Sequence, residues 1–182
     1  MHQTSRQPKL LSIIFTLMLF FLMANTPTHA AATKEFPNYV TDENLIGKGR
    51  YSYLFWDIYD ASLYSPTPPW QKQQPFALSL SYLRTLDGHK IAERSLEEME
   101  NIGLPTSDKH TDWLNKMKAI FPNVSASDTL TGVRTESGHT EFYLNKKWIG
   151  HIKDPEFADW FFGIWLHPNT SAPMLRERLL NQ

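Results

Sequence analysis

No cysteine occurs anywhere in the 182 residues, so the chain forms no disulfide and offers neither a thiolate nucleophile nor a cysteine-bound zinc site. Burial alone must hold its core, and a 13% aromatic content supplies large side chains for that purpose. An excess of charge of one sign is missing too. Eighteen basic residues face 19 acidic ones, which argues against an electrostatic nucleic-acid binder with its concentrated basic face. Also missing are a Gly-x-Ser-x-Gly elbow, a phosphate-cradling glycine loop, a dinucleotide fingerprint and a His-Glu-x-x-His pair. Beyond the first 30 residues the histidines, at 89, 110, 139, 151 and 167, are scattered. Hydrolytic, nucleotide and hydride-transfer chemistry have no foothold here, and neither a metal nor a cofactor is expected.

A single long apolar run is present, Leu10 to Met23. Arg6 and Lys9 precede it, and Thr28-His29-Ala30 follows with small residues at cleavage positions. That order is the pattern of an export leader over residues 1–30, and the run falls short of the roughly 20 apolar residues of a membrane span. One domain over residues 31–182 is the expected mature protein, periplasmic or secreted, touching a membrane only through an uncleaved leader. Losing Arg6 and Lys9 moves its formal charge from −1 to −3.

Within that domain, residues 31–44 read as an extended entry segment and Gly47-Lys48-Gly49 as a flexible turn. Arg50 to Asp57 carries aromatics on both parities, which predicts a covered strand with a bulge or bend near Asp57 that leads into a second, Ile58 to Tyr64. Phe76, Leu78, Leu80 and Tyr82 alternate with small or polar residues, the period of a strand with one apolar face. Arg84 shares the parity of the large set, so it is placed to reach the apolar face from the strand's end. Asp87 is the expected cap of a helix to about Ile102, with Ile91, Ala92, Ser95, Leu96 and Met99 inside and Glu93, Arg94, Glu97 and Glu98 outside. A second helix runs from near Thr106 to before Pro122, and three short strands occupy residues 128–152. Asp154 and Ser171 are expected to cap two final helices, the first with Pro155 at its start. This order indicates an α+β domain, a large antiparallel sheet with helices layered on one face.

Three segments in order carry a resemblance. They are Phe55-Trp56-Asp57-Ile58-Tyr59-Asp60-Ala61-Ser62-Leu63-Tyr64, then Leu78-Ser79-Leu80-Ser81-Tyr82-Leu83-Arg84, then the block from Asn145 to Leu166. Together they resemble the chalcone isomerase-like family in its bacterial exported branch, over roughly residues 45–180. The resemblance implies a ligand cleft between sheet and helices. It also implies an arginine near an early strand that holds an anion, a place taken here by Arg50. In the plant isomerases that arginine steadies the developing charge during ring closure; in fatty-acid-binding relatives it holds a carboxylate. The other catalytic positions are occupied by Tyr59, by Asp87-Gly88-His89-Lys90, by the region of Ser95, Glu97 and Glu98, and by Asp154. These depart from the isomerase pattern.

The expected function is therefore non-catalytic binding of a small amphipathic or fatty-acid-like ligand. Arg50 and Arg84 are the expected cations, since a guanidinium stays charged and offers a planar fork of donors. Tyr59 and Tyr82 are the expected pocket aromatics. An intramolecular lyase acting on enones and an envelope protein-interaction module are the alternatives.

Overall fold

A computed structural model describes residues 34–182, so the expected leader lies outside the described residues. Six strands follow one another: β1 (Leu45–Tyr53), β2 (Trp56–Tyr64), β3 (Phe76–Tyr82), β4 (Thr129–Arg134), β5 (Thr140–Leu144) and β6 (Lys147–Ile152). Each pairs antiparallel with its neighbours in chain order, so the sheet is a six-stranded meander. Two helices, α1 (Gly88–Asn101) and α2 (Lys109–Ile120), interrupt it between β3 and β4; α3 (Pro155–Leu166) and α4 (Pro173–Leu180) close the chain. The architecture is α+β, as the patterning implied.

The expected bulge near Asp57 is present as a register shift that leaves Ile58 between the paired Asp57 and Tyr59, but the chain also reverses fully just before it. Tyr53 faces Trp56 across a two-residue turn, and Leu54 takes the left-handed conformation there, with φ of 54°. Such a turn ordinarily uses Gly, Asn or Asp, and its absence hid the hairpin. Gly47-Lys48-Gly49, expected as a flexible turn, lies inside β1. The reason is contact: a Cβ on Gly47 would sit 2.2 Å from the Arg178 carbonyl oxygen of α4, and one on Gly49 would meet Leu175 and Arg178 side chains. These glycines let α4 lie directly on the strand.

Strand parity divides the sheet into two faces. Tyr59, Ala61 and Leu63 of β2 stand opposite Tyr82, Leu80 and Leu78 of β3, and all pack under the helices with Met99, Trp113, Met117, Phe157 and Phe161. Phe142 lies edge-on to Phe121, Phe157 and Phe161, at ring separations of 5.0, 6.4 and 5.3 Å. The other face carries hydroxyl pairs, Ser79 with Thr131 at 2.9 Å and Ser81 with Thr129 at 3.0 Å. At one end of that face the entry segment is fastened down. Phe36 meets Tyr143 edge-on at 5.3 Å, and the Tyr143 hydroxyl donates to the Glu35 carbonyl at 3.1 Å.

The helix starts follow their capping chemistry in two cases. The Asp87 carboxylate accepts from the Lys90 amide at 3.0 Å, and Asp154 accepts from the Glu156 amide at 3.0 Å, with Pro155 beginning α3. Ser171 is a correction. The residue preceding α4 is Ala172, and the Ser171 hydroxyl turns to Glu98.

Asp154 also accepts from the Trp113 indole at 3.2 Å. Burial works against its charge, but that bond, the Glu156 amide and Lys109 hold its carboxyl below the usual range. A depressed folded pKa gives stability that is present above the unfolded value near 3.9 and is lost as pH falls through the folded value. Asp154→Ala should therefore cost about 2 kcal/mol at pH 7, with the deficit shrinking below about pH 4. Urea unfolding at the two pH values checks this; an equal deficit at pH 3 and pH 7 would rule out the ionised cap as its source.

Candidate functional site

A cavity of about 450 Å³ opens between the sheet and the helical layer, near the β1–β2 end of the fold. Its floor is the helix-facing side of the early strands: Tyr51, Tyr59, Leu80 and Tyr82, with Leu130 from β4. Its roof is α1 through Lys90, Ile91, Arg94, Ser95 and Glu98, together with Phe161, Ile164 and Trp165 of α3. Ser171 and Ala172, leading into α4, close one side. Apolar and aromatic surface dominates the lining, with a few polar groups gathered on α1. The volume falls within the roughly 300–1,000 Å³ of small-molecule sites.

The aromatic floor is ordered. Tyr51 stacks on Tyr59 at 5.1 Å, and Tyr59 meets Tyr82 edge-on at 6.0 Å. The Trp165 indole donates to the Tyr59 hydroxyl at 2.9 Å. Burial raises the pKa of all three phenols above the ordinary tyrosine value. They are neutral at physiological pH.

Along α1, Lys90, Arg94 and Glu98 recur every four residues and so share one side of the helix. Glu98 is buried. Its carboxylate is held by the Arg94 guanidinium and by the Ser171 hydroxyl, the latter at 2.8 Å. Arg94 makes a second bond, to the exposed Glu97 at 3.1 Å. A cation is thus fixed at the cavity wall by one buried acid while keeping a solvent-facing edge.

The four residues singled out from sequence divide evenly. Tyr59 and Tyr82 line the cavity. Arg50 does not, because it pairs with Asp60 on the strand position between Gly49 and Tyr51, both of which face the helices. Its side chain is therefore on the opposite face. There it binds Asp60 through Nε and Nη2 at 2.7 and 2.9 Å, and Asp57 through Nη1 at 2.8 Å. Arg84 does not line the cavity either. β3 ends at Tyr82, and beyond it the Arg84 guanidinium lies 4.5 Å from the centre of the Trp56 ring, at the hairpin.

Arg94, Glu98 and Ser171 were missed. Arg94 and Glu98 were expected on the outer face of the helix, where charge normally belongs. The signal was spacing: Glu98 is seven residues after Ile91 and three after Ser95, so it sits on the inward stripe. Its partner Ser171 is 73 positions away, and no local pattern joins the two.

Residues 39–181 match the family described as chalcone isomerase-like. The chain belongs to that family. An uncharacterized protein of Haemophilus influenzae is 32% identical over 139 residues, covering 75% of this chain and 67% of its own. Among solved structures, a fatty-acid binding protein of Arabidopsis thaliana superposes with a TM-score of 0.58 over 80% of this chain and 91% of its own. At 14% identity that likeness concerns the fold. In this chalcone isomerase-like chain, the arginine on the cavity wall comes from the first helix and not from the first strand.

Proposed function

We propose that the cavity holds one small amphipathic ligand with an anionic head, a fatty acid being the reference case, and releases it chemically unchanged. The observation that carries this reading is an apolar hollow with Lys90 and Arg94 collected on one wall. The printed description of the Arabidopsis neighbour, a fatty-acid binder, supports the same ligand class. The leader-like first 30 residues support a site of action outside the cytoplasm.

The head would approach the Arg94 edge now shared with Glu97. That surface pair, both side chains more than half exposed, is of the kind that contributes little, so a ligand carboxylate can replace it at small cost. Glu98 and Ser171 keep the guanidinium oriented meanwhile. The hydrocarbon would lie across Tyr59, Leu80 and Tyr82. Non-catalytic holding is supported by Glu98, whose carboxylate is already bound on both sides, by Arg94 and by Ser171.

Calorimetric titration with saturated acids of eight to fourteen carbons, and with their methyl esters, tests the reading. Each buried methylene contributes about 0.8 kcal/mol, so affinity should rise about fourfold per methylene until the hollow is full. Acids should bind about 10- to 100-fold tighter than esters, the range of a charge-assisted hydrogen bond. Arg94→Gln should erase that preference, whereas Arg50→Ala should leave it intact. Equal affinity for acid and ester would remove the anionic head; no dependence on length would remove the cavity. Turnover of a chalcone that disappears in Arg94→Gln would put the isomerase alternative in its place.

A further inference from the structure

The tip of the β1–β2 hairpin is the most apolar exposed feature of the described residues. Phe55 is 98% exposed and Leu54 75%, with Tyr53 and Trp56 both above half. Four consecutive large apolar side chains in water are costly to keep and mark a contact surface. Their order along the hairpin is graded. Leu54 and Phe55 form the apex, and Tyr53 and Trp56, each with a polar end, stand one step behind. Ser52, Asp57 and Arg50 form a polar collar joined by hydrogen bonds, Ser52 to Asp57 at 2.6 Å and Arg50 to Asp57 at 2.8 Å.

We propose that this tip is a membrane anchor that inserts into the outer part of a lipid bilayer, the apex among acyl chains and the two ring-bearing residues at the headgroup level. Several observations favour lipid over a protein partner. The tip is a convex two-residue turn, which offers a protein no flat surface to cover. Apolar apex, amphipathic ring and polar collar reproduce the depth profile of a bilayer interface. Arg84, stacked on Trp56, places a cation at the height of lipid phosphates. Behind the tip the charges balance, Arg50 and Arg84 against Asp57 and Asp60; insertion is therefore driven by apolar burial and needs no anionic lipid.

The position of the tip gives it a use. Tyr53 of the tip itself, and Ile58 two residues beyond Trp56, line the cavity. An inserted tip would set the cavity at the bilayer surface, where an amphipathic ligand can pass from lipid to protein without crossing water. This last step rests on the ligand reading above; the insertion itself does not.

The absence of cysteine makes the test clean. Full-length Phe55→Cys and Ser137→Cys are each labelled with an environment-sensitive fluorophore and mixed with phosphatidylcholine–phosphatidylethanolamine vesicles carrying a shallow lipid-linked quencher. Residue 137 lies in the exposed β4–β5 turn and reports on attachment by any other part of the chain. The label at 55 should shift to the blue and be quenched several-fold more than the label at 137, with little change between low and high salt. Leu54→Asp in the same labelled chain should return it to the aqueous spectrum, and Ser95→Phe, which alters only the cavity, should not. A label at 55 that remains aqueous overturns the proposal. So does a blue shift without vesicles that grows with protein concentration, because a second copy would then be covering the tip.

Discussion

Gly47→Ala is expected to destabilise the domain by about 3 kcal/mol, the upper part of the range for forced overpacking. The new Cβ would lie 2.2 Å from the Arg178 carbonyl oxygen and 2.5 Å from that of Leu179. Both are backbone atoms near the end of α4, so relief requires moving the helix off β1. Gly49→Ala is the internal comparison. Its Cβ meets Leu175 Cδ1 at 2.9 Å and Arg178 side-chain atoms, which can rotate aside, so about 1 kcal/mol is expected. For a domain of this size the first change should lower the melting temperature by roughly 10 °C and the second by roughly 3 °C. Equal shifts would mean that α4 does not rest on the strand as closely as described. Because Ser171 and Ala172 enter the cavity wall just before α4, Gly47→Ala should also weaken ligand binding.

Ser95→Phe is expected to separate binding from stability. Ser95 is buried on the cavity side of α1, its hydroxyl returning to the Ile91 carbonyl at 2.8 Å. A phenyl ring there enters the hollow and buries new apolar surface, while helix propensity changes little. Binding of a twelve-carbon acid should fall at least 30-fold. Thermal stability should hold or rise by about 1 kcal/mol, since the ring occupies space that is otherwise unfilled. A variant that merely damaged the fold would lose both together. Retained affinity would show that the ligand lies elsewhere and would remove the cavity from the functional account.

Whether Arg50 or Arg94 matters for binding turns on strand parity, and this is where sequence reading met its limit. The alternation through Phe76, Leu78, Leu80 and Tyr82 identified the apolar side of β3, because a strand buried on one face repeats every two residues. For Arg50 the same logic had no purchase. The surrounding run is aromatic on both parities, and the hairpin turn at Leu54-Phe55 lacks the residue types that announce one. Without the turn, the register of β1 against β2 was unknown, and register decides which face a residue occupies. Arg84 failed for a related reason: the strand stops two residues earlier, and a stacked indole offers the guanidinium a partner close by.

The helices show the same limit from the other side. Their spans and the caps at Asp87 and Asp154 were legible because capping is local chemistry, settled within three residues. The apolar spacing of α1 leaves Glu98 with the charged residues expected outside, and an unpaired carboxylate would be prohibitively costly to bury. It is tolerated inward because Arg94 and Ser171 both reach it, and Ser171 comes from the far end of the chain.

By itself the sequence settled the class of the fold, the order of its elements and the family, because periodicity, capping and punctuation act over short stretches that carry their own signal. It also placed Tyr82 on the apolar face of β3. Only the tertiary structure decided which cation faces the hollow, why two glycines lie within a strand, and that four apolar residues crown an exposed turn. The first two depend on how distant segments meet, on register across a ladder or on helix against strand, and such contacts leave no mark in the order of neighbouring residues. The third was hidden because the turn at Leu54-Phe55 lacks the residue types that usually mark one.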